Sequence, residues 1–373
     1  MTPPAFYQPQ IAETPAADST PACPESGDLR HGILVRATNW LGDNLISMPA
    51  LWRLREALPA STPTTVLCKS SLAPLWGMAD WIDRVIAFDG RRVSREDKER
   101  IRESPPAAAL ILPNSFGAAL DLCGCGIRLR LGRGGRGRGL LLTRRLPAWR
   151  REWRNRPLHQ VNHYFDLASQ LRPLPRRLPA EPWLRVAPET MKKTRLRLDL
   201  PPPDDRPWLA IAPGAAYGPA KQWPAEHFRK TAEACAQAGF LVIVLGTARE
   251  RPTGDLLCQN LGNARNLCGQ TDLSELAAVL AMAKVCLCND SGTMHLAAGL
   301  GRSGVAVFGS TSAAATGPLG GRWLVLDGGA ACPRSPCFRR ECPLPRDRCR
   351  CLRSISPEQA REAVESLASG ESF

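Results

Sequence analysis

Short apolar runs alternate with helical patterns along almost the whole chain, and this alternation restricts the possible folds more than any other feature. In the first half the apolar runs are Ile33–Ala37, TVLCK at 65–69, VIAFD at 85–89 and AALILPN at 108–114. In the second half they lie at 209–214, 240–246, 264–269, 284–289 and 305–309, with helical patterns at 224–238, 252–262, 272–283 and 293–300. Strands that alternate with helices form parallel sheets with crossover helices. The sequence therefore predicts an α/β fold with doubly wound, Rossmann-like sheets.

The length of the chain and its prolines divide this pattern into two domains. A chain of 373 residues is about twice the size of an ordinary domain. Proline-rich sequence at 171–207 interrupts the alternation, and proline fixes φ and removes a hydrogen-bond donor. We therefore expect an N-terminal domain at 31–185, an extended linker at 186–207 and a C-terminal domain at 208–373, with a cleft between two sheets.

The first 30 residues differ in composition from the rest of the chain. Residues 1–30 are rich in proline and small side chains and have few large apolar ones, so we expect a disordered tail. The same residues contain neither the basic segment nor the apolar run of a secretory leader. No run in the chain approaches the roughly 18 apolar residues of a membrane-spanning helix. We therefore expect a protein that stays in the cytoplasm.

Basic residues outnumber acidic ones by 49 to 35, which gives a net charge of +14. Such an excess predicts an anionic partner, whether nucleic acid, anionic lipid or phosphorylated substrate. The excess is concentrated at 128–156, which holds 11 arginines and one glutamate. Within this region the segment 129–147 is rich in Arg and Gly, as nucleic-acid-binding tracts are, but it contains no aromatic residue.

One candidate ligand loop follows the apolar run at 209–214. It reads GAAYGPAK from Gly214 to Lys221. Small residues let backbone N–H groups approach an anion closely, and a lysine at the end of the loop can reach a phosphate. The spacing is not that of a P-loop, and the same residues also fit a surface loop with a solvated lysine.

A second candidate loop follows the run at 284–289 and leads into an Ala/Leu helix. It contains Asp290, Ser291, Gly292, Thr293, Met294 and His295. Free amides at a helix N-terminus, together with the Ser and Thr hydroxyls, form a site suited to a diphosphate. A carboxylate does not suit such a site, so Asp290 is expected to face a hydroxyl or to cap the helix. His295 either assists a phosphate or is hydrogen-bonded within the helix.

A third candidate, Asp43, follows the first predicted strand in the sequence TNWLGDN. Gly42 permits an unusual turn, and Asp43 falls at the start of a helix. A carboxylate at this position serves either as a helix N-cap or as a general base that deprotonates an incoming hydroxyl. The residues alone leave both roles open.

Taken together, these loops resemble glycosyltransferase family 9, the heptosyltransferases of lipopolysaccharide core synthesis. The resemblance covers residues 31–370 and rests on several motifs in order. They are ILVRATNWLGDNLISMPAL, LPNSF, APGAAYGPAKQWP, CNDSGTMHLAAGLG and VAVFGST. It implies a GT-B fold in which the N-terminal domain binds the acceptor and the C-terminal domain binds ADP-heptose.

The resemblance also implies roles for individual residues. Asp43 matches the proposed general base of the family, and Lys221 matches its phosphate-contacting lysine. The sugar- and diphosphate-binding loop corresponds to Asp290, Ser291, Gly292, Thr293 and His295, and the adenosine pocket to Thr271 and Gly246. Acceptor-side candidates are Asn39, Trp40, Asn114 and Ser115. Some relatives carry a ribose-contacting glutamate after the run at 240–246, where GTARE (246–250) gives no clear assignment.

The implied reaction is a single displacement with inversion. Asp43 would deprotonate an acceptor hydroxyl, while Lys221 and the amides near Ser291 would stabilise the departing ADP. The chain contains no D-x-D motif, so no metal or other cofactor is expected besides the donor substrate ADP-heptose. The implied partners are the lipopolysaccharide inner-core acceptor and the anionic inner face of the inner membrane, and contacts of this kind account for the basic tract better than nucleic acid does.

Five cysteines cluster between residues 332 and 351. A metal site at Cys332, Cys337, Cys342 and Cys349 is one interpretation, but structural zinc sites favour closer Cys pairs. We expect thiols packed in a loop-rich segment. The sequence CPRSPCFRRECP resembles the transferases that add the second heptose, which favours a heptosyl-Kdo2-lipid A acceptor. The alternatives are a family member with another acceptor, such as Kdo2-lipid A, or another nucleotide sugar, and a non-catalytic nucleotide- or RNA-binding protein.

Overall fold

A computed structural model describes residues 5–13, 28–148 and 158–370 of the chain. The chain divides into two compact units. One, here the N-terminal unit, spans Gln10–Trp183. The other, the C-terminal unit, spans Leu184–Phe373 and includes the first nine residues. No helix among the described residues combines the length and apolar character needed to cross a membrane.

The N-terminal unit is built on a six-stranded parallel sheet. Its strands are β1 (Ile33–Arg36), β2 (Thr64–Lys69), β3 (Arg84–Phe88), β4 (Ala108–Ile111), β5 (Leu129–Arg133) and β6 (Arg144–Leu146), in the order β3-β2-β1-β4-β5-β6. Its described α-helices are α1 (Leu41–Ala57), α2 (Ala73–Gly77), α3 (Arg95–Glu103), α4 (Phe116–Asp121) and α5 (Val161–Ala168). Every residue of β1 and β4 is buried, as is typical of central strands covered on both faces.

The C-terminal unit repeats this architecture. Its strands are β7 (Trp208–Ala212), β8 (Leu241–Val244), β9 (Ala264–Asn266), β10 (Val285–Asn289), β11 (Gly304–Phe308) and β12 (Trp323–Asp327), in the order β12-β11-β10-β7-β8-β9. Its helices are α6 (Pro188–Arg197), α7 (Ala225–Gln237), α8 (Arg251–Cys258), α9 (Leu273–Met282), α10 (Gly292–Gly299), α11 (Ala313–Thr316), α12 (Arg350–Arg353) and α13 (Pro357–Ser369). The predicted strands and the four predicted helices of this half are all present.

The strand order places one switch point in each sheet. The chain winds outward in one direction from β1 and in the other from β4, and β7 and β10 are related in the same way. All of these pairs are parallel. The loops after β1 and β4 therefore leave the same edge of one sheet, and those after β7 and β10 leave the same edge of the other. Ligands of doubly wound sheets bind at such points.

The Arg/Gly-rich tract is part of the first sheet. Residues 129–133 and 144–146 form β5 and β6, which the apolar pattern did not predict. Several of its arginines bond to the protein itself, since Arg130 donates to the carbonyl groups of Ile127 and Leu141, and Arg133 pairs with Asp166. These guanidinium groups are hydrogen-bonded or paired within the protein, whereas binding to nucleic acid would require them to be exposed.

The prediction of an extended linker at 186–207 is wrong, because part of this segment is helical. Residues 188–197 form α6, with Pro188 in its first turn, where proline is compatible with a helix. Arg197 near the end of this helix donates to the Glu275 carboxylate at 2.5 Å and to the carbonyl of Gln270 at 2.7 Å. The segment thus packs as part of the C-terminal unit.

The predicted disordered tail is also wrong for residues 5–13. The N–H group of Tyr7 donates to the carbonyl of Trp323 in the C-terminal unit at 2.8 Å. In the N-terminal unit, the N–H group of Ala12 donates to Oδ1 of Asn162, also at 2.8 Å. Low average apolarity concealed the few aromatic and polar groups that make these contacts. Residues 28–30 of the predicted tail are ordered as well, since they belong to a short 3₁₀ helix in which Leu29 is buried. The other parts of the predicted tail, 1–4 and 14–27, lie outside the described residues.

Candidate active site

A cavity of about 290 Å³ lies at the switch point of the N-terminal sheet. Its lining comes from the loops after β1 and β4, the Arg/Gly-rich tract and the region of α5. The lining residues include Thr38, Asn39, Trp40, Asp43, Pro113, Asn114, Ser115, Arg133, Arg136, Gln160, His163 and Tyr164. The structure therefore brings Asp43 together with all four acceptor-side candidates. The cavity approaches the size of small-molecule sites.

Asp43 is the only acidic residue among the described residues that line this cavity. It lies in the first turn of α1, but the N-cap position belongs to Trp40. The neighbouring Asn44 holds the helix start, because its side-chain amide donates to the carbonyl groups of Thr38 and Trp40 at 3.1 and 2.7 Å. Asp43 instead accepts a hydrogen bond from Nε2 of Gln160 at 2.8 Å. The N-cap alternative for Asp43 is thereby removed.

The remaining charged groups of the cavity are basic. Arg133 and Arg136 both line it. Burial lowers the pKa of His163 to about 3, and Arg133 adds to this effect, so the imidazole is a poor proton acceptor near neutral pH. The cavity thus combines the Asp43 carboxylate with the guanidinium group of Arg136 and with that of Arg133, which is also paired with Asp166. This arrangement suits an acceptor with both a reactive hydroxyl and anionic groups.

Buried arginines fix the two loops that line the cavity. Arg138 donates to the carbonyl of Pro113 and to Oδ1 of Asn114, and burial lowers its pKa to about 10. Arg36 forms a fully buried ion pair with Asp121 at 3.3 Å and also donates to Oδ1 of Asn39. The arginine of β1 was not predicted as a site residue, because a basic side chain within an apolar run carries no sign of its partner.

A second set of polar groups gathers at the switch point of the C-terminal sheet. Nζ of Lys221, in the loop after β7, lies 2.5 Å from Oδ2 of Asp290, in the loop after β10. The same oxygen accepts hydrogen bonds from the hydroxyls of Thr311 at 2.7 Å and Thr316 at 3.4 Å. Asp290 is neither an N-cap nor free to repel an anion. Its charge is balanced by the lysine that the sequence predicted as a phosphate contact.

Helix α10 begins at Gly292, two residues after Asp290 of this ion pair. Ser291 is its N-cap residue but makes no side-chain cap bond. The hydroxyls of Ser291 and Ser310 are buried and have no hydrogen-bond partner in the part of the chain that the structure describes. The first-turn amides from Gly292 and Thr293 onward lack helical partners by geometry, and the His295 side chain is buried in the next turn. Free amides and hydroxyls at the start of a helix are the groups with which proteins bind anions, so this helix start remains the candidate diphosphate contact.

The loops after β8 and β9 contact each other. Both strands lie beyond β7 in the strand order, on the side of the switch point away from β10. The N–H group of Gly269 donates to the carbonyl of Gly246 at 2.8 Å. Thr271 follows two residues later, so both adenosine-pocket candidates belong to this pair of loops. Gly269 has φ of +76° and no room for a Cβ atom against Ala248, so only glycine permits this approach.

Glu250 is the residue that the sequence left unassigned. Its carboxylate accepts from the N–H and hydroxyl groups of Thr247 at 2.6 and 2.9 Å. A Cβ atom added at Gly214 or Gly246 would collide with that carboxylate, so Glu250 lies between the ends of β7 and β8. The T-x-x-E spacing from Thr247 is a capping box, and this signal would have indicated the direction of the side chain.

The cysteine-rich segment accepts hydrogen bonds from the loop that carries Lys221. The N–H group of Ala220 donates to the carbonyl of Arg340 at 3.0 Å, and the Tyr217 hydroxyl donates to the carbonyl of Phe338 at 2.9 Å.

A cavity of about 20 Å³ lies within the cysteine-rich segment, and its lining includes Cys332, Cys337, Cys342, Cys349 and Cys351. No group of three or more His, Cys, Asp or Glu side chains within the described ranges is arranged to hold a metal ion. The metal alternative for these cysteines therefore gains no support.

Comparison with known proteins identifies the family. Residues 97–346 match glycosyltransferase family 9 (heptosyltransferase). The chain is 30% identical over 315 residues to lipopolysaccharide heptosyltransferase 2 of Salmonella typhimurium, an alignment that covers 79% of this chain and 87% of that protein. The Escherichia coli protein of the same description gives the same identity and coverage.

Solved structures agree with this result. The fold is similar to that of the E. coli ADP-heptose lipopolysaccharide heptosyltransferase II, with a TM-score of 0.75, 28% identity, and coverage of 91% of this chain and 99% of that one. A family 9 transferase from Veillonella parvula shares the fold at a TM-score of 0.73 and 20% identity. The predicted α/β fold of the GT-B class and the predicted heptosyltransferase activity are confirmed. The chain belongs to glycosyltransferase family 9, the heptosyltransferases, and is a glycosyltransferase of lipopolysaccharide synthesis.

Proposed function

We propose that this enzyme transfers L-glycero-D-manno-heptose from ADP-heptose to heptosyl-Kdo2-lipid A, and so adds the second heptose of the lipopolysaccharide inner core. The observation that carries the proposal is the carboxylate of Asp43, which lines a cavity whose lining also includes Arg133 and Arg136. The relatives that match over most of the chain are type 2 heptosyltransferases, which favours the second heptose over the first.

The proposed donor site is the set of groups around Lys221. The ammonium group and the amides at the start of α10 would bind the diphosphate, with the Ser291 hydroxyl as an additional donor. The loops that carry Gly246 and Thr271 would hold the adenosine. Glu250, between the ends of β7 and β8, is the carboxylate that we assign to the ribose hydroxyls.

The proposed acceptor site is the cavity that contains Asp43. Inner-core acceptors carry carboxylates and phosphates, and Arg133 and Arg136 are the cations of the lining. Trp40 is 64% exposed and offers a flat apolar face to a sugar ring. The Oδ1 atoms of Asn39 and Asn114 already accept hydrogen bonds from arginines. Their side-chain N–H groups are the donors that would bind the acceptor.

The mechanism follows from these groups. Asp43 accepts the proton of an acceptor hydroxyl as that oxygen forms a bond to the anomeric carbon of the donor. The bond from this carbon to the diphosphate breaks, and its electron pair leaves with ADP. Lys221 and the α10 amides stabilise the negative charge that develops on the leaving group. Attack from the face opposite ADP inverts the anomeric configuration.

The acceptor is tested by ADP release with two purified acceptors. With ADP-heptose present, we expect turnover with heptosyl-Kdo2-lipid A and little with Kdo2-lipid A. Turnover with Kdo2-lipid A alone would instead make the enzyme a first-heptose transferase. If neither acceptor supports ADP release, a different nucleotide sugar or a non-catalytic role would have to be considered.

Activity is expected to survive a metal chelator. Lys221 and the amides of α10 provide the positive charge that a divalent metal supplies in other transferases, and no D-x-D motif is present to hold such a metal. The measurement is the initial rate of ADP release with and without EDTA. Complete loss of the rate, followed by recovery on addition of a divalent metal, would contradict this expectation.

We infer that the enzyme works in the cytoplasm, on the inner face of the inner membrane. Leu140 is 95% exposed, and its turn packs against α4, whose first residue Phe116 is also exposed. Arg136 and Arg145 lie in the same region of the tract. Apolar side chains flanked by basic ones favour binding to an anionic lipid surface.

Replacing Leu140 by aspartate should weaken membrane binding, because it removes an apolar contact and adds a charge that anionic lipids repel. Flotation with vesicles containing phosphatidylglycerol measures the bound fraction. The matched control is Leu196→Asp, since Leu196 is exposed on α6 of the other unit. Equal binding of the two variants and the unmodified enzyme would show that this surface does not contact the membrane.

A further inference from the structure

We propose that Tyr7 is a positioning residue of the donor site, which it supports through the short helix α11 and its contacts with Asp290. This inference rests on the proposed donor role of Lys221 and Asp290. It assigns a function to residues 5–9, which the composition of the sequence suggested to be a disordered tail.

Residues 5–9 are held against the C-terminal unit by their two aromatic side chains. Phe6 packs against the main hydrophobic core of the unit, and the Arg322 guanidinium lies over its ring at 4.4 Å from the centroid. The N–H group of Tyr7 donates to the carbonyl of Trp323, the first residue of the edge strand β12. The segment is thus anchored by the Phe6 side chain and by the backbone of Tyr7.

The Tyr7 side chain contacts the turn that ends α11. Its hydroxyl donates to the carbonyl of Ala313 at 2.7 Å, and the N–H group of Gly317 donates to the same oxygen at 2.6 Å. A Cβ atom at Gly317 would lie only 2.4 Å from the Tyr7 ring, so the absence of a side chain there lets the ring approach. Burial raises the pKa of Tyr7, which keeps the hydroxyl protonated as a donor. Tyr7 therefore fixes both the position and the end of this helix.

Helix α11 in turn holds the carboxylate of Asp290. Thr311, just before the helix, donates to Oδ2, the atom that also pairs with Lys221. The Thr316 hydroxyl on the helix lies 3.4 Å from this oxygen and 3.4 Å from the carbonyl of Ser312, and so shares its proton between the two. These hydroxyls satisfy part of the charge of Asp290 and leave the lysine less tightly bound to it. If the helix shifts, the carboxylate loses these donors and attracts Lys221 more strongly, in competition with the donor diphosphate.

The expected consequence is a defect in donor binding rather than in chemistry. Tyr7→Phe keeps the ring and removes one hydroxyl, so we expect a several-fold rise in the KM for ADP-heptose with little change in kcat or in the KM for the acceptor. Tyr7→Ala removes the ring as well and should have a larger effect in the same direction. Gln8→Ala is the matched control, because Gln8 is an exposed neighbour in the same segment.

A double-mutant cycle tests whether Tyr7 acts through α11. Thr316→Val should also raise the KM for ADP-heptose, and Tyr7→Phe should add little in the Thr316→Val background. Additive effects, or a Tyr7→Phe enzyme with unchanged KM, would overturn the proposal. A fall in thermal stability with unchanged KM would show a purely structural role and would also overturn it.

These results can be distinguished from failure of the proposed function. Turnover of ADP-heptose by the unmodified enzyme tests the function itself, whereas the role of Tyr7 is judged from the ratio of variant to unmodified enzyme. If the enzyme uses a different ADP-sugar, the same comparison is made with that donor. The dissociation constant for ADP, measured by calorimetry, provides a readout that does not depend on the acceptor or on turnover.

Discussion

Replacing Asp43 by asparagine is expected to lower kcat by at least about a hundredfold and to leave the affinity for ADP nearly unchanged. Asparagine has almost the same shape and can still bond to Gln160, but it cannot take a proton from the acceptor hydroxyl. Single-turnover rates with saturating acceptor measure the chemical step, and calorimetry measures ADP binding.

The control for this substitution is Asp89→Asn, because Asp89 is an exposed carboxylate in the same unit. It should leave both the rate and ADP binding as in the unmodified enzyme. A small effect of Asp43→Asn, comparable with that of the control, would return Asp43 to a structural role at the start of α1. A loss of ADP affinity together with the rate would point to misfolding instead.

Replacing Lys221 by alanine is expected to reduce kcat by roughly a hundredfold or more, as found when a group that stabilises developing charge is removed. It should also weaken ADP binding, in contrast to Asp43→Asn. The substitution leaves the buried Asp290 carboxylate with its threonine donors alone, and its uncompensated charge then repels the diphosphate. Rates of ADP release and calorimetric ADP affinity measure the two effects.

Lys230→Ala is the control, since Lys230 is exposed on α7 of the same unit. Asp290→Asn removes the negative charge that repels the diphosphate in Lys221→Ala. The double variant Lys221→Ala/Asp290→Asn is therefore expected to bind ADP more tightly than Lys221→Ala alone. If Lys221→Ala binds ADP as well as the unmodified enzyme, the lysine is not a diphosphate contact.

The loops that form both candidate sites are predictable from the sequence. The apolar runs 108–114 and 284–289 contain the central strands Ala108–Ile111 and Val285–Asn289, in which every residue is buried. Burial on both faces gives these strands their continuous apolar character. Candidate residues at their carboxyl ends could therefore be assigned to loops that meet. Asp43 and Asn114, 71 positions apart in the sequence, line one cavity as a result.

What could not be predicted depends on partners that are distant in the sequence. The role of Asp290 is set by Lys221 and Thr311, and neither follows from local pattern. Strands β5 and β6 lie in an arginine-rich tract because several of its guanidinium groups bond to carbonyls and Asp166 of the same unit. Tyr7 and α6 were missed for a related reason. Composition describes the average of a segment, whereas one buried aromatic ring or one ion pair is sufficient to order it.

The most direct test is the mass of the acceptor after reaction with ADP-heptose. The account predicts that the unmodified enzyme adds one heptose to heptosyl-Kdo2-lipid A and releases one ADP for each acceptor modified, and that Asp43→Asn forms almost no product in the same time. ADP release without a gain in acceptor mass would indicate hydrolysis of the donor. Product formed by Asp43→Asn at the rate of the unmodified enzyme would contradict the assignment of the base.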